Sequence, residues 1–248
     1  MTLPDYSWLA WTLIVLSTYL TGVSKGGFAG GFGTLSVPLM ALAIGPIEAA
    51  GLLLPLLLVM DALAVKAWWR HRDMAEVRRL LPGLAIGVAA ATLVAGRLDE
   101  DHVRLLLGVI SLLFVAYMVA RPAASRPIRA FWAWPAAIAT GITSFIAHAG
   151  APPMNLYLVP RHLPKMTFIA TTTLAFAAVN LMKLPPYLVL GEINLTSIGA
   201  SLLLVPVAWA GVRSGLWLQH RVDERLFYRL VVLAMALVGV QLIVKALG

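Results

Sequence analysis

Apolar residues recur along the whole chain, gathered near 8–22, 33–45, 47–69, 80–96, 105–120, 131–147, 166–190, 195–219 and 226–244. Several of these stretches reach the roughly 20 residues that a membrane-spanning helix needs, whereas others fall short. Glycine and proline are frequent inside them. Membrane helices tolerate both, because neighbouring helices satisfy the backbone groups that are freed. The pattern predicts an all-α polytopic membrane protein.

Composition sharpens this picture. Of the 248 residues, 60% are hydrophobic and 12% charged, where a soluble domain carries about 25% charged residues. Lipid must therefore be the solvent for much of the surface. The net charge is +8. Its basic residues cluster between apolar stretches, which is a topology signal. No basic amphipathic stretch with interleaved aromatics points to nucleic acid. The chain has no cysteine, which excludes disulfides, thiol catalysis and cysteine metal sites. His71, His102, His148, His162 and His220 are scattered without ligand spacing, so neither a metal nor another cofactor is expected. Asp5 stands where a secretory signal would be basic, so the first apolar stretch is expected to stay in the mature protein. With no ATP-binding motif, this chain alone is not expected to be a primary pump.

The chain reads as a duplicated unit. Thr21-Gly22-Val23-Ser24 recurs as Thr140-Gly141-Ile142-Thr143, an offset of 119 residues. At the same offset Asp61 falls on Asn180, and Asp73 on Glu192. Five further residues enter the second copy, and at an offset of 124 Pro82 matches Pro206, Gly87 matches Gly211, and Arg97 to Glu100 matches Arg221 to Glu224. The division is a first transmembrane repeat over 1–120, a polar linker over 121–130 carrying Pro122 and Pro127, and a second repeat over 131–248.

The start of each copy is either one broken helix or a re-entrant hairpin of two short helices, and charge placement chooses between them. Lys25, Lys183 and Arg213 fall inside apolar segments and are set aside. With a broken helix the copies are parallel, and the remaining sixteen basic residues divide nine to seven across the membrane. With a hairpin each copy makes three full crossings and the copies are inverted. The cytoplasmic side then holds Lys66, Arg70, Arg72, Arg78 and Arg79, the linker's Arg121, Arg126 and Arg129, and Arg161, Lys165, Arg221, Arg225 and Arg229. Only Arg97, Arg104 and Lys245 face outward, beside the acidic Asp99, Glu100 and Asp101. Basic residues concentrate in cytoplasmic loops, so two inverted repeats are expected, each a re-entrant pair plus three transmembrane helices. Inverted repeats with discontinuous helices are a common plan of secondary transporters, with the site near the midplane between the breaks.

Two breaks carry the candidate chemistry. The first runs from Ser24 to Thr34 and holds Lys25, Gly26, Gly27, Gly30, Gly31 and Gly33. Glycines let backbone N–H groups approach a ligand, and a helix starting after them points its positive end at the turn. The alternative is close helix packing through Gly-xxx-Gly spacing. Lys25 tips the balance, because a charge inside a membrane is functional by default. The second break is His148-Ala149-Gly150-Ala151-Pro152-Pro153, followed by Asn155. Its prolines suit the first turn of a new helix. His148 either binds the anion or carries a proton, or it is a neutral imidazole bonded to a carbonyl. The expected substrate-binding set is Ser24, Lys25, Gly31, Thr34, His148, Gly150, Asn155 and Asn180, with Asp61 and His148 as coupling groups. Asp61 either titrates or simply neutralises Lys25. Lys183 is expected to snorkel to an interface, since Pro185, Pro186 and Tyr187 follow it. Arg213 is open between site cation and snorkeller. Thr171, Thr172 and Thr173 either line a polar path or bond back to their own helix.

At these breaks the sequence resembles the sulfite exporter TauE/SafE family, also called the toluene sulfonate uptake permease family, over nearly its whole length. The resemblance rests on the Gly-rich break ending in Val37-Pro38-Leu39, then Gly45 and Pro46, and on the His148 to Pro153 break followed by Tyr157-Leu158-Val159-Pro160. Thr171, Phe176, Asn180, Lys183-Leu184-Pro185, Tyr187 and Gly191 add to it, as do Pro206, Gly211 and Phe227-Tyr228-Arg229. It implies transport of sulfur-containing anions such as sulfite, sulfoacetate or other sulfonates, often outward. Ala151 departs from the pattern where a second glycine is expected, and so does Lys25.

The expected function is secondary transport of such an anion across a bacterial inner membrane, as export coupled to an ion or proton gradient. The partners are then the oxyanion and the lipid bilayer, and a homo-oligomer is compatible with the sequence. An anion channel would share the same site. An intramembrane serine hydrolase would need Ser24 and His148 within hydrogen-bond reach. The hairpin topology puts both chain ends outside and the linker in the cytoplasm. In this Cys-free chain, an impermeant thiol reagent applied from outside should label Gly248→Cys and spare Ser125→Cys. The opposite labelling would overturn the topology.

Overall fold

The computed structural model describes residues 4–28, 33–120, 129–219, 221 and 224–248. Along them run α1 Trp8–Gly27, α2 Ser36–Ile44, α3 Pro46–Trp68, α4 Met74–Ala95, α5 Glu100–Ala120, α6 Ala133–Ala147, α7 Ala151–Leu158, α8 Lys165–Val189, α9 Leu195–Leu218 and α10 Glu224–Leu247. Local chemistry marks their starts. The Ser7 hydroxyl accepts from Ala10 N at 3.2 Å to open α1, and the Asp73 carboxylate accepts from Ala75 N and Glu76 N to open α4. Asn194 and Ser197 form a capping box at α9, and Pro46 and Pro152 sit in first turns, where a missing N–H costs nothing. Pro55, Pro82, Pro185, Pro186 and Pro206 lie inside helices that continue past them.

Among the described residues five helical stretches are long and apolar enough to cross a membrane: Pro46–His71, Met74–Ala95, Ala130–Ala147, Lys165–Val189 and Leu195–Leu218. Leu93, Leu181, Leu202, Leu203 and Leu237 point outward from the bundle. Exposed Trp8, Trp69, Trp132 and Trp217 stand at helix ends, where aromatic belts meet the membrane interface. The protein is an all-α polytopic membrane protein.

Lipid tails are as apolar as leucine, so the helices associate by close packing rather than by escape from water. α1 lies along α9, α6 along α4, α5 against α10, and α3 against both α8 and α9. Glycine makes the two tightest of these crossings. Gly22 of α1 meets Gly211 of α9, where a Cβ on Gly22 would stand 2.9 Å from the Gly211 Cα. Gly87 of α4 meets Gly141 of α6, where a Cβ on Gly87 would stand 2.2 Å from the Ile138 carbonyl oxygen.

The helix pair α1–α2 leaves and returns at one end of the bundle. Tyr6, just before α1, bonds through its hydroxyl to Glu48 just after α2, and Gly45 packs against Glu100. At that first end Lys245 also donates to the Leu42 carbonyl at 3.1 Å. The pair α6–α7 returns at the opposite end. There Arg161, just after α7, holds Glu76 near the start of α4 at 2.6 Å, and Trp134 at the start of α6 lies against Gly83 of α4. Lys165 reaches the Gln219 carbonyl at 3.3 Å at the same second end. The two hairpins therefore enter from opposite ends and meet at their tips.

The first break begins later than the sequence suggests. α1 continues through Lys25, Gly26 and Gly27 to a cap at Phe28. Gly26 and Gly27 let the backbone of α9 approach, since a Cβ on Gly27 would come 2.2 Å from the Gly215 carbonyl oxygen. At these two positions glycine serves helix packing, the alternative weighed for Gly-xxx-Gly. Gly87→Val should push α4 and α6 apart and lower stability by about 1–3 kcal/mol, the cost of overpacking, read as a lower Tm in detergent. An unchanged Tm would mean that this crossing is loose.

Candidate functional site

The hairpin tips, α3 and α8 enclose a cavity of about 20 Å³ lined by Thr21, Lys25, Gly33, Leu57, Ser144, His148, Ala151, Phe176 and Asn180. That is room for a water molecule or two and not for a sulfonate. α2 starts just after Gly33 and α7 starts at Ala151, so both short helices begin at the cavity wall.

Lys25, in the last turn of α1, is 7% exposed and Asp61 of α3 is 2% exposed. Lys25 Nζ donates to Asp61 Oδ1 at 2.5 Å, and it sits 5.3 Å from the centre of the Phe176 ring. Asn180 Nδ2 donates to the other Asp61 oxygen at 2.6 Å. Both oxygens of the carboxylate are thus held, one by a cation and one by a neutral donor. Removing either charge alone would leave its partner buried and unpaired, which costs several kcal/mol. Ser24 turns its hydroxyl to the returning chain and accepts from Gly33 N at 3.0 Å. Thr21 donates to the Ser17 carbonyl and also meets the Ser36 hydroxyl, tying α1 to the start of α2.

The second tip is built around His148, whose left-handed backbone (φ 48°) ends α6. Its Nε2 lies 3.1 Å from the Ala50 carbonyl, and its Nδ1 lies 2.5 Å from Lys183 Nζ. A carbonyl only accepts and an ammonium only donates. These partners therefore set a neutral imidazole with its proton on Nε2. Neither ring nitrogen is left to act as a base for Ser24.

Lys183 is the residue that sequence reasoning misplaced. It does not snorkel: the whole side chain is buried, and Nζ donates to the Ser144 carbonyl at 3.0 Å and the Ser144 hydroxyl at 3.2 Å. α8 runs through Pro185 and Pro186 to Val189, so Lys183 lies well inside the helix rather than at its end. Its three-residue step from Asn180 would have revealed this, since i and i+3 share a helix face.

The remaining candidates divide. Gly150 packs beside the cavity, where a Cβ would lie 3.0 Å from both Phe176 and Thr140. Thr34 is buried in the turn before α2. Asn155 lies on α7 and does not line the cavity; its buried Oδ1 has no hydrogen-bond partner in the described structure. Gly31 lies outside the described residues. Arg213 is exposed over Trp209, a surface position. Thr172 bonds back to Phe168, and Thr171 accepts from Asp73 N, so neither hydroxyl is aimed into the cavity.

Taken together, these features define a polytopic membrane protein in which two opposed helical hairpins close on a buried charged cavity. Residues 14–242 match the family described as sulfite exporter TauE/SafE, and the chain belongs to that family of membrane transporters for sulfite or related anions. No curated protein and no solved structure matches the chain.

A second cavity, of about 30 Å³, lies toward the first end and is lined in part by Ala50, Leu98, Tyr187 and Glu192. Ala50 belongs to its wall, and the Ala50 carbonyl holds His148. Glu192, in the loop between α8 and α9, has its carboxyl pushed up to about 7 by burial, against the opposing pull of the Lys183 charge. A carboxyl raised in this way binds its proton more tightly folded than unfolded. Its stabilising contribution is complete below the unfolded value and is lost as pH rises through about 7. Glu192→Gln should therefore raise the Tm at about pH 8 and leave it nearly unchanged at about pH 4.5. Equal shifts at both pH values would show that this carboxyl does not titrate near neutrality.

Proposed function

We propose that this chain is a secondary transporter carrying a small sulfur oxyanion, such as sulfite, sulfoacetate or another sulfonate, outward across a bacterial inner membrane, coupled to an ion or proton gradient. The observation that carries this reading is the Lys25–Asp61 pair at the meeting point of two hairpins that enter from opposite ends. A cation held at the midplane by a carboxylate is a site where an anion and a proton exchange partners. Substrate replaces Asp61 beside Lys25, and the released carboxylate takes the proton. Anion binding thus favours protonated Asp61, and protonated Asp61 favours anion binding.

The cavity is smaller than the substrate, so loading requires the tips to separate toward one end and then the other. Such alternation is what opposed discontinuous helices allow. It supports a carrier rather than a continuous channel. His148, with both ring nitrogens engaged, supports a binding and positioning role over a hydrolytic one.

An inverted arrangement of the two copies would fit the same reading, and the glycine crossings support it. Gly22 and Gly141 are repeat mates, as are Gly87 and Gly211, and each copy contributes one member to each crossing. Asp61 bonds directly to its own mate, Asn180. An axis relating two such copies would run through this contact, and so through the proposed site.

In calorimetric titration with the best sulfur oxyanion, Lys25→Ala should weaken binding by about 1.5–3 kcal/mol, the worth of a hydrogen bond to a charged group. That is roughly ten- to a hundredfold in Kd. Lys25→Arg should rescue in part, since a planar fork fits a different geometry. In proteoliposomes Asp61→Asn should keep substrate binding and lose the pH dependence of transport. Unaltered binding by folded Lys25→Ala, with unaltered pH dependence in Asp61→Asn, would place the site elsewhere.

A further inference from the structure

The exchange at Lys25 and Asp61 leaves one buried cation without a carboxylate. Lys183 is fully buried, and its Nζ rests on the Ser144 carbonyl, the Ser144 hydroxyl and His148 Nδ1, all neutral. Among the described residues no carboxylate lies within 4 Å of it. Two of the groups it touches, Ser144 and His148, form the wall of the central cavity that Lys25 also lines. Nζ faces a carbonyl, a hydroxyl and the accepting His148 Nδ1, three acceptors that match the three donors of an ammonium, and an ammonium held only by neutral partners attracts a negative charge.

We infer that Lys183 makes this site select a dianion, taken up together with one proton on Asp61, over a monoanion of the same shape. The inference rests on the transport reading above and follows from charge balance. With Asp61 ionised and the nearby Glu192 carboxyl protonated, the buried groups Lys25, Lys183, Asp61 and Glu192 sum to one positive charge. A monoanion neutralises that sum without any proton. A dianion overshoots by one negative charge, and protonating Asp61 restores neutrality while releasing Lys25 to serve as the second cation. A sulfonate bearing a second acidic group, or fully ionised sulfite, meets this requirement.

Among the described residues Glu192, in the loop between α8 and α9, is the other carboxyl that acts on Lys183, and it lines the second cavity rather than the central one. α1 presents Lys25, α8 presents Asn180 and Lys183, and the α6–α7 turn presents His148, which its partners hold neutral. α2 carries no titratable side chain, and Arg213 of α9 faces outward over Trp209. On α5 the charged residues Glu100, Asp101, His102 and Arg104 gather at its start, at the first end, where Arg104 pairs with both acids. On α3 itself, Glu48 lies at the first end against Tyr6, and Lys66 is exposed.

The test is calorimetric titration of the purified full chain at neutral pH in buffers of different ionisation enthalpy, which counts protons taken up on binding. The probes are sulfoacetate, a dianion, and its amide, a monoanion of nearly the same shape. Parallel runs in Glu192→Gln remove a carboxyl that titrates near neutrality. Sulfoacetate should take up about one proton more than the amide in wild type, and about one against none in Glu192→Gln, a count fixed by electroneutrality at a buried site. Lys183→Met should weaken sulfoacetate at least about tenfold, the loss of one charged hydrogen bond. It should also make the amide bind with uptake of a proton, because the site then needs Asp61 neutral to accept even one charge. Lys183→Arg should keep the wild-type proton counts. Equal proton counts for the two probes in wild type overturn the inference, as does a folded Lys183→Met whose proton counts match wild type. If folded wild type binds neither these probes nor sulfite, the transport reading fails first and takes this inference with it. If Lys183→Met does not fold, the wild-type counts decide alone.

Discussion

A charge buried among membrane helices has to be neutralised where it stands, because no water can reach it and an unpaired ion at that depth costs several kcal/mol. In this protein the constraint acts at Asp61. Its two oxygens are claimed by Lys25 from α1 and Asn180 from α8. The tip of the first hairpin is thereby fixed against α3, and α3 against α8, at one point. The second tip is anchored by hydrogen bonds instead: Lys183 donates to the Ser144 carbonyl and hydroxyl near the end of α6 and meets His148 Nδ1. Remove the need to satisfy these groups and nothing else in the apolar interior would define where the two tips meet.

Packing supplies what electrostatics does not. The glycine crossings bring backbones together where larger residues would collide, and they give long contact lines without any hydrophobic driving force. One apolar cluster gathers around Ile14, Met40, Leu53 and Leu204, and another around Leu84, Phe145, Met154 and Val179. α3 contributes to both, since Leu53 belongs to the first and Leu54 to the second. The helix that carries Asp61 is therefore also the seam between the two halves of the core.

Much of this was legible in the sequence, and the exceptions are instructive. The spans follow from apolar length, and the second break follows from two adjacent prolines, which in fact occupy the first turn of α7. The neighbourhood of Lys25 and Asp61 follows from the cost of burying either alone. What could not be read was depth. Lys183 precedes Pro-Pro-Tyr, a combination that resembles a helix end, yet α8 carries on to Val189 because membrane helices absorb proline. Likewise α1 persists through Gly26 and Gly27, because tertiary contact with α9 outweighs the poor helix propensity of glycine. Asn155 lies one turn further along α7 than cavity-lining Ala151, and the cavity reaches only the start of that helix.

The crossed pairing of the helices has a consequence for how the chain is made. α1 finds its packing partner in α9, a helix that emerges from the ribosome only after most of the protein has been synthesised. Until then its glycine face and the Tyr19 hydroxyl that bonds to Ser214 have no native contacts on α9. α4 waits in the same way for α6, though for a shorter time. Contacts between residues so distant in sequence close late. The first half therefore cannot reach its final form alone, and a chain truncated after the linker would present unsatisfied polar groups to lipid. The arrangement that places the site between two halves also leaves the site incomplete until α8, which carries Asn180, has been made.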